Sequence, residues 1–168
     1  MNISMYEASV PVFVRYLGNL RAILQKAAVH AEARKIDPAV LVGSRLFPDM
    51  LPLGRQIQLA SDMAKSGPSR LVGAEPPKFE DTESTFQQLL ERIDKTVDHL
   101  KTFQAGQFEG AEGRPIAVKT ARGPLELKGL PYLTQFLIPN FMFHVTTAYD
   151  ILRHNGVELS KADYLGTA

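Results

Sequence analysis

The chain contains neither cysteine nor tryptophan among its 168 residues. Without thiols it holds no disulfide, no thiolate nucleophile, no Cys-ligated zinc and no iron–sulfur cluster. Any metal chemistry must therefore use histidine and carboxylates. Charge of one sign is missing too, since 19 Lys+Arg face 18 Asp+Glu for a net charge of +1. That balance offers no basic footprint for nucleic acid and no polybasic patch for an anionic membrane. No window approaches the roughly 18 consecutive apolar residues of a membrane span. Also absent are a phosphate-binding P-loop, a dinucleotide glycine fingerprint, a nucleophile elbow, an HExxH zinc motif and an EF-hand loop. No helix carries the Glu-x-x-His pair of di-iron bundles.

A hydrophobic fraction of 45% with 22% charged residues is too apolar for a disordered chain. The length suits a single domain over residues 1–168, large enough to bury roughly 70% of its unfolded surface without staples. The opening Met1-Asn2-Ile3-Ser4-Met5-Tyr6-Glu7 lacks the basic and apolar regions of an export signal. With no cysteine either, a cytoplasmic location is expected.

Helical periodicity dominates. Val10, Phe13, Leu17, Leu20, Leu24, Ala27 and Ala31 recur at three- and four-residue steps, with Pro11 placed for a first turn. Asp37-Pro38 supplies an N-cap and a first-turn proline for a short helix through Val42. A second long helix follows Pro48 and Pro52 with the seam Leu53, Ile57, Ala60 and Ala64, Asp49 being placed to cap it. Gly67-Pro68 should interrupt that helix, leaving a long connection with one turn at Arg70-Leu71-Val72. A third helix is expected from Asp81-Thr82, with Glu83 at its positive end and the seam Phe86, Leu90, Ile93, Val97 and Leu100. The last long helix reads from about Leu130 to His154, kinked at Pro139. Its seam is Leu130, Leu133, Leu137, Asn140/Phe141, His144, Ala148 and Ile151.

Between the third and fourth of these helices the period changes to two. Ile116, Val118 and Thr120 alternate with Ala117 and Lys119, Ala121-Arg122-Gly123-Pro124 turns the chain, and Leu125 and Leu127 alternate with Glu126. The expected fold is all-α, a four-helix bundle with a small β-hairpin inserted between helices 3 and 4. The segment after Asn155-Gly156 offers Leu159, Tyr164 and Leu165 for docking.

Four histidines are the only imidazoles on offer. His30, His99 and His154 read as flank or capping residues. His144 falls in the last helix's seam, where a polar group must find a hydrogen-bond partner or a ligand. Its ordinary reading is a satisfied core histidine; the alternative is a histidine facing a ligand or metal. Asn140 interrupts the same stripe one turn earlier, and Gln56 borders the seam of the second helix. Tyr6, Tyr16, Tyr132 and Tyr149 are placed to line a cleft, though bundle-margin tyrosines ordinarily keep their hydroxyls in water. Asp62 with Gln58 on the second helix is a weak chelating pair, more simply read as a solvated face.

Three stretches carry a resemblance. They are Leu46-Phe47-Pro48-Asp49-Met50-Leu51-Pro52-Leu53 with Gln56-Ile57-Gln58 and Ala60-Ser61-Asp62; Gly73-Ala74-Glu75-Pro76-Pro77 leading to Arg92-Ile93-Asp94-Lys95-Thr96; and Pro139-Asn140-Phe141-Met142-Phe143-His144-Val145-Thr146-Thr147-Ala148-Tyr149. Together they resemble domain-of-unknown-function family 1993, a branch of the DinB/YfiT-like four-helix-bundle superfamily. The resemblance implies that bundle and its long connection between the second and third helices. In many DinB-like proteins a divalent metal is held by a second-helix His and an HxxxH pair on the fourth, and some use it in thiol-dependent transfer. Position by position, His144 matches the first of the pair and Ala148 stands in the second. Gln56, Gln58 or Asp62 lies near the second-helix position. The three-His site is thus degraded, and no cofactor is expected.

Two functions compete at this point. One is a small-molecule or enzymatic role in a cleft of His144, Asn140, Gln56 and Tyr149; a metal-dependent transferase or hydrolase is the lesser variant. The other is a non-catalytic homodimer, suggested by the hairpin Ile116 to Leu127, whose edge and apolar residues need cover.

Overall fold

The computed structural model describes residues 3–120 and 123–166. Helix α1 (Val10–Arg34) buries Val10, Phe13, Leu17, Leu20, Leu24, Ala27 and Ala31, the seam read from the sequence, together with Ile23. Pro11 sits in its first turn, where its missing N–H costs nothing. In α2 (Pro38–Val42) the Asp37 side chain caps the Ala39 amide at 2.9 Å.

Helix α3 (Leu53–Leu71) is longer than expected, because it runs straight through Gly67-Pro68. Tertiary packing overrides the local signal. A Cβ at Gly67 would lie 2.1 Å from Leu137 Cδ2, so the glycine lets the last helical segment approach. Around the proline, Ser69 Oγ donates to the Lys65 carbonyl at 2.7 Å. Asp49 is exposed and does not cap this helix; Pro52 holds the N-cap position.

Helix α4 (Phe86–Leu100) starts later than expected, at a capping box in which Thr85 Oγ1 accepts from the Gln88 amide and Gln88 answers the Thr85 amide. Its buried stripe is Phe86, Leu89, Arg92, Ile93, Thr96 and Leu100, while Leu90 and Val97 are only half-buried. The rotation from the expected face follows from Arg92, which is drawn inward by carboxylates described below. Asp81 and Glu83 lie outside the helix, on a strap of residues 74–85 without regular structure.

Two 3-10 turns (Ala105–Phe108, Ala111–Gly113) lead into the hairpin of β1 (Pro115–Thr120) and β2 (Gly123–Lys128), antiparallel from Pro115↔Lys128 to Thr120↔Gly123. The turn positions Ala121 and Arg122 lie outside the described residues. Ile116 and Val118 are buried, so the hairpin leans on its own chain. The Arg114 guanidinium anchors it by donating to the Leu71 carbonyl.

The last long helix is composite: a short turn α5 (Gly129–Pro131), a π-helical segment Tyr132–Leu137, then α6 (Ile138–His154). Widening to π immediately before Pro139 accommodates the ring that would otherwise meet the preceding turn. Leu130 is 50% exposed, outside the seam, whereas Tyr132 is fully buried beneath Arg70 rather than wetting its hydroxyl. Helix α7 (Lys161–Leu165) docks the C-terminal segment on α1: Asn19 Nδ2 donates to the Tyr164 carbonyl at 2.9 Å, and Lys26 pairs with Asp163 at 2.6 Å. Helix α3 packs against α6 and α4, and α1 against α4, α6 and α7.

Two glycines test the packing. A Cβ at Gly129 would meet the Ala111 carbonyl oxygen at 1.8 Å, and backbone cannot swing aside, whereas Gly18 on α1 has nothing within 4 Å. In urea unfolding, Gly129→Ala is expected to lose about 1–3 kcal/mol. Gly18→Ala should gain about 0.5–1 kcal/mol.

Candidate functional site

Arg92 is the most buried cation of the region, its side chain 1% exposed. An ionised group there needs opposite charge around it. Asp62 on α3 supplies it at 2.8 Å, and the strap supplies Asp81 at 3.0 Å and Glu83 at 2.9 Å. The pairing propagates into a closed ring. Glu83 Oε2 accepts from Gln58 Nε2 at 2.9 Å, and Gln58 Oε1 accepts from Arg55 Nη1 at 2.6 Å. Arg55 Nη1 also donates to Asp81 at 2.5 Å, and Asp81 returns to Arg92. With Lys65 on Asp62 at 3.0 Å, Arg55, Lys65 and Arg92 balance three carboxylates. Phe79 fixes the strap from above, with Lys95 Nζ 4.2 Å and Lys65 Nζ 4.9 Å from its ring centre. Arg92 Nε, like Ser61 Oγ on α3, stays buried without a hydrogen-bond partner among the described residues.

Burial alone would raise the Asp81 carboxyl. The Arg55 hydrogen bond and the charges of Arg92 and Arg55 outweigh it and hold Asp81 below the ordinary carboxylate range. Asp62 and Gln58, read from the sequence as a solvated or weakly chelating pair, are thus spent in this ring. Gln58 is 3% exposed.

One helical step from Arg55, Gln56 points to the opposite partner. It is 1% exposed, and its Nε2 donates to the Leu51 carbonyl at 3.0 Å. That fixes its Oε1 as an acceptor, and His144 Nδ1 lies 2.7 Å from it. The donor on this bond is therefore the imidazole: His144 carries its proton on Nδ1 and presents a bare Nε2. Nε2 makes no hydrogen bond to any described residue and is not sealed from solvent. Burial, then the Arg55 charge, push the His144 pKa below the ordinary histidine value, which favours the neutral ring. The side chain is half-buried at the margin of the α6 stripe, where Val145 takes the core position.

The remaining expected members do not join it. Asn140 Nδ2 donates to the Phe136 carbonyl at 2.6 Å, satisfying the π segment. Tyr149 lies about 140° around the helix from His144. Its ring instead meets Tyr164 at 6.0 Å. His99 is no surface flank residue: Ser69 Oγ lies 3.1 Å from its Nε2, and burial lowers its pKa. His30 borders an open groove of about 980 Å³ between α1 and the C-terminal segment, with Val29, Ala33, Val157 and Leu159. His154 is exposed in the last turn of α6.

Arg55 and Arg92 are the residues that the sequence did not single out. The usable signal was the cluster Lys78, Glu80, Asp81 and Glu83 opposite an arginine in step with Leu89 and Thr96.

A three-histidine metal site does not fit these donors. His144 Nδ1 is committed to Gln56, both Gln56 side-chain atoms are committed in turn, and Ala148 brings a buried methyl where a second imidazole would stand. Among the described residues no group of three or more His, Cys, Asp or Glu converges to hold an ion.

The fold defines a helical protein similar to DinB-type proteins. A crystal structure of a DinB family member protein from Shewanella denitrificans superposes with a TM-score of 0.90 at 42% identity, over 98% of this chain and 93% of that one. Residues 5–165 match the family described as a domain of unknown function, DUF1993, and the chain belongs to that family. No curated protein matches it.

Four outcomes follow from these electrostatics. Because the folded His144 binds its proton more weakly than the unfolded one, stability falls as pH drops below the ordinary histidine range of about 6.5. In an NMR titration, Arg55→Gln should raise the His144 pKa only part of the way to normal, since burial is the larger cause. Arg92→Leu should cost about 3–5 kcal/mol in chemical unfolding, because it leaves Glu83 without a cation and takes one of two from Asp62 and from Asp81. Asp81, whose folded pKa is depressed, stabilises the fold above its unfolded value, and this is lost as pH falls through the folded one.

Proposed function

We propose that this chain is a small-molecule-binding protein of the four-helix-bundle type, working without a metal, in which His144 Nε2 is the anchor or proton acceptor for the ligand. One observation carries the reading: the Gln56–His144 hydrogen bond of 2.7 Å, with Gln56 itself oriented by the Leu51 carbonyl. A neutral imidazole of fixed tautomer is the form needed to accept a hydrogen bond or abstract a proton. Burial and the nearby Arg55 charge keep it in that form. Gln56, one of the three residues near the second-helix position that the resemblance implies, acts on the imidazole.

A second reading, a homodimeric interaction protein, is favoured by a different feature from the one read in the sequence. Ile116, Val118 and Leu159 are covered within the chain. Phe47 at 63%, Phe143 at 55% and Leu51 at 42% exposure remain bare, and the Phe143 ring meets His144 edge-on at 5.4 Å. A second copy of this chain is the partner this reading takes. A monomeric mass in sedimentation at high concentration would remove it.

The test of the first reading is direct. Nitrogen chemical shifts of His144 at pH 7 should report protonated Nδ1 and bare Nε2, and Gln56→Leu should mix the tautomers. Titration with zinc or nickel should give no stoichiometric uptake. Tight uptake that disappears in His144→Ala would restore the metal enzyme.

A further inference from the structure

Arg55 stands at the junction of the two polar systems. It neighbours Gln56 on α3, and Gln56 holds His144; through Asp81 and Gln58 it belongs to the Arg92 ring. Both ring contacts leave from a single nitrogen, Nη1. Nε and Nη2 make no hydrogen bond to any described residue, and neither is buried without a partner. The side chain is 39% exposed. What remains free is the Nε–Nη2 edge, two coplanar N–H groups with the spacing of a carboxylate's two oxygens. Helix α3 thus presents, at successive positions, an unspent guanidinium fork and the amide that aims an imidazole lone pair.

We propose that Arg55 is the anion-recognising residue beside His144, and that the ligand is a small hydroxycarboxylic acid. Its carboxylate takes the Nε–Nη2 edge of Arg55, and its hydroxyl donates to His144 Nε2. This rests on the reading of His144 given above and adds the ligand's chemical class. The charge inventory selects a carboxylate over a phosphate. Arg55, Lys65 and Arg92 are already balanced by Asp62, Asp81 and Glu83, so the free edge brings hydrogen bonds but no surplus charge to hold a dianion. The hydroxyl is required because a bare Nε2 accepts and does not donate. Asp81 does not have to leave, since it occupies Nη1 and the ligand the opposite edge. It does repel the incoming charge.

The experiment is a titration of the intact, nitrogen-15-labelled protein at pH 7 and constant ionic strength with two probes, glycolate and acetate. Glycolate should shift both the Arg55 Nε–H and the His144 ring signals, whereas acetate should shift Arg55 alone and bind more weakly. Arg55→Gln should weaken glycolate binding at least about tenfold, as expected for loss of a charge-assisted pair of hydrogen bonds. Arg55→Lys keeps the positive charge without the planar fork and should weaken it similarly. Asp81→Asn removes the competing charge and should tighten binding roughly two- to fivefold. Glycolate that leaves the Arg55 signal unmoved, or equal affinity in Arg55→Gln, overturns the assignment of Arg55. A His144 protonated on Nε2 overturns the underlying reading instead, and the same spectra report both.

Discussion

Burying the Arg92 guanidinium governs this structure. An arginine with 1% exposure is tolerable only when carboxylates and hydrogen-bond acceptors replace the water it has lost. Helix α3 supplies only Asp62, so the chain must bring more. It does so with the strap, whose Asp81 and Glu83 reach the same cation. This one requirement explains why α4 is rotated toward Arg92 and Thr96 and why it begins at Thr85. It also explains why a stretch of residues 74–85 without regular structure is held in one place. Phe79, set among Lys65, Arg92 and Lys95, adds a second fastening to the same segment.

The ring reaches the candidate site through Arg55. Its position is set by Gln58 and Asp81, and its charge in turn biases His144 toward the neutral form. Helix α3 therefore carries two polar layers on adjacent residues. One is ionic and faces α4 and the strap; the other is the Gln56–His144 pair facing α6. The close approach of α3 to the last helical segment, admitted by Gly67 against Leu137, keeps these two helices together. The site is accordingly a property of helix packing rather than of any loop motif.

Membership in a family of unknown function, and likeness to a DinB family member protein at 42% identity, fix the ancestry of the fold without fixing its chemistry. The donors decide the chemistry. Ala148 contributes no ligand, and an amide on α3 has become the orienting partner of His144. A histidine held this way keeps its second nitrogen free of any hydrogen bond to the described residues.

Much of the helical framework was legible in the chain. The α1 seam, the Asp37 cap, the alternation of the hairpin strands and the isolation of His144 on α6 follow from spacing and residue type alone. The hydrogen bond between His144 and Gln56 was not legible, since Gln56, Gln58 and Asp62 stood equally near that position. What the sequence could not decide depended on energies shared between distant segments. Continuation of α3 through Pro68, the π segment before Pro139, the inward turn of Arg92 and the commitment of Asn140 to a backbone carbonyl all run against local preference. For Pro68 and Arg92 the deciding partner lies far away in sequence, Leu137 against Gly67 in the first case and Asp62 in the second. Absent cysteine excluded thiolate chemistry from the start. Only the tertiary structure showed which imidazole nitrogen is left bare and which guanidinium edge is unspent, because both depend on partners that folding alone brings within hydrogen-bonding distance.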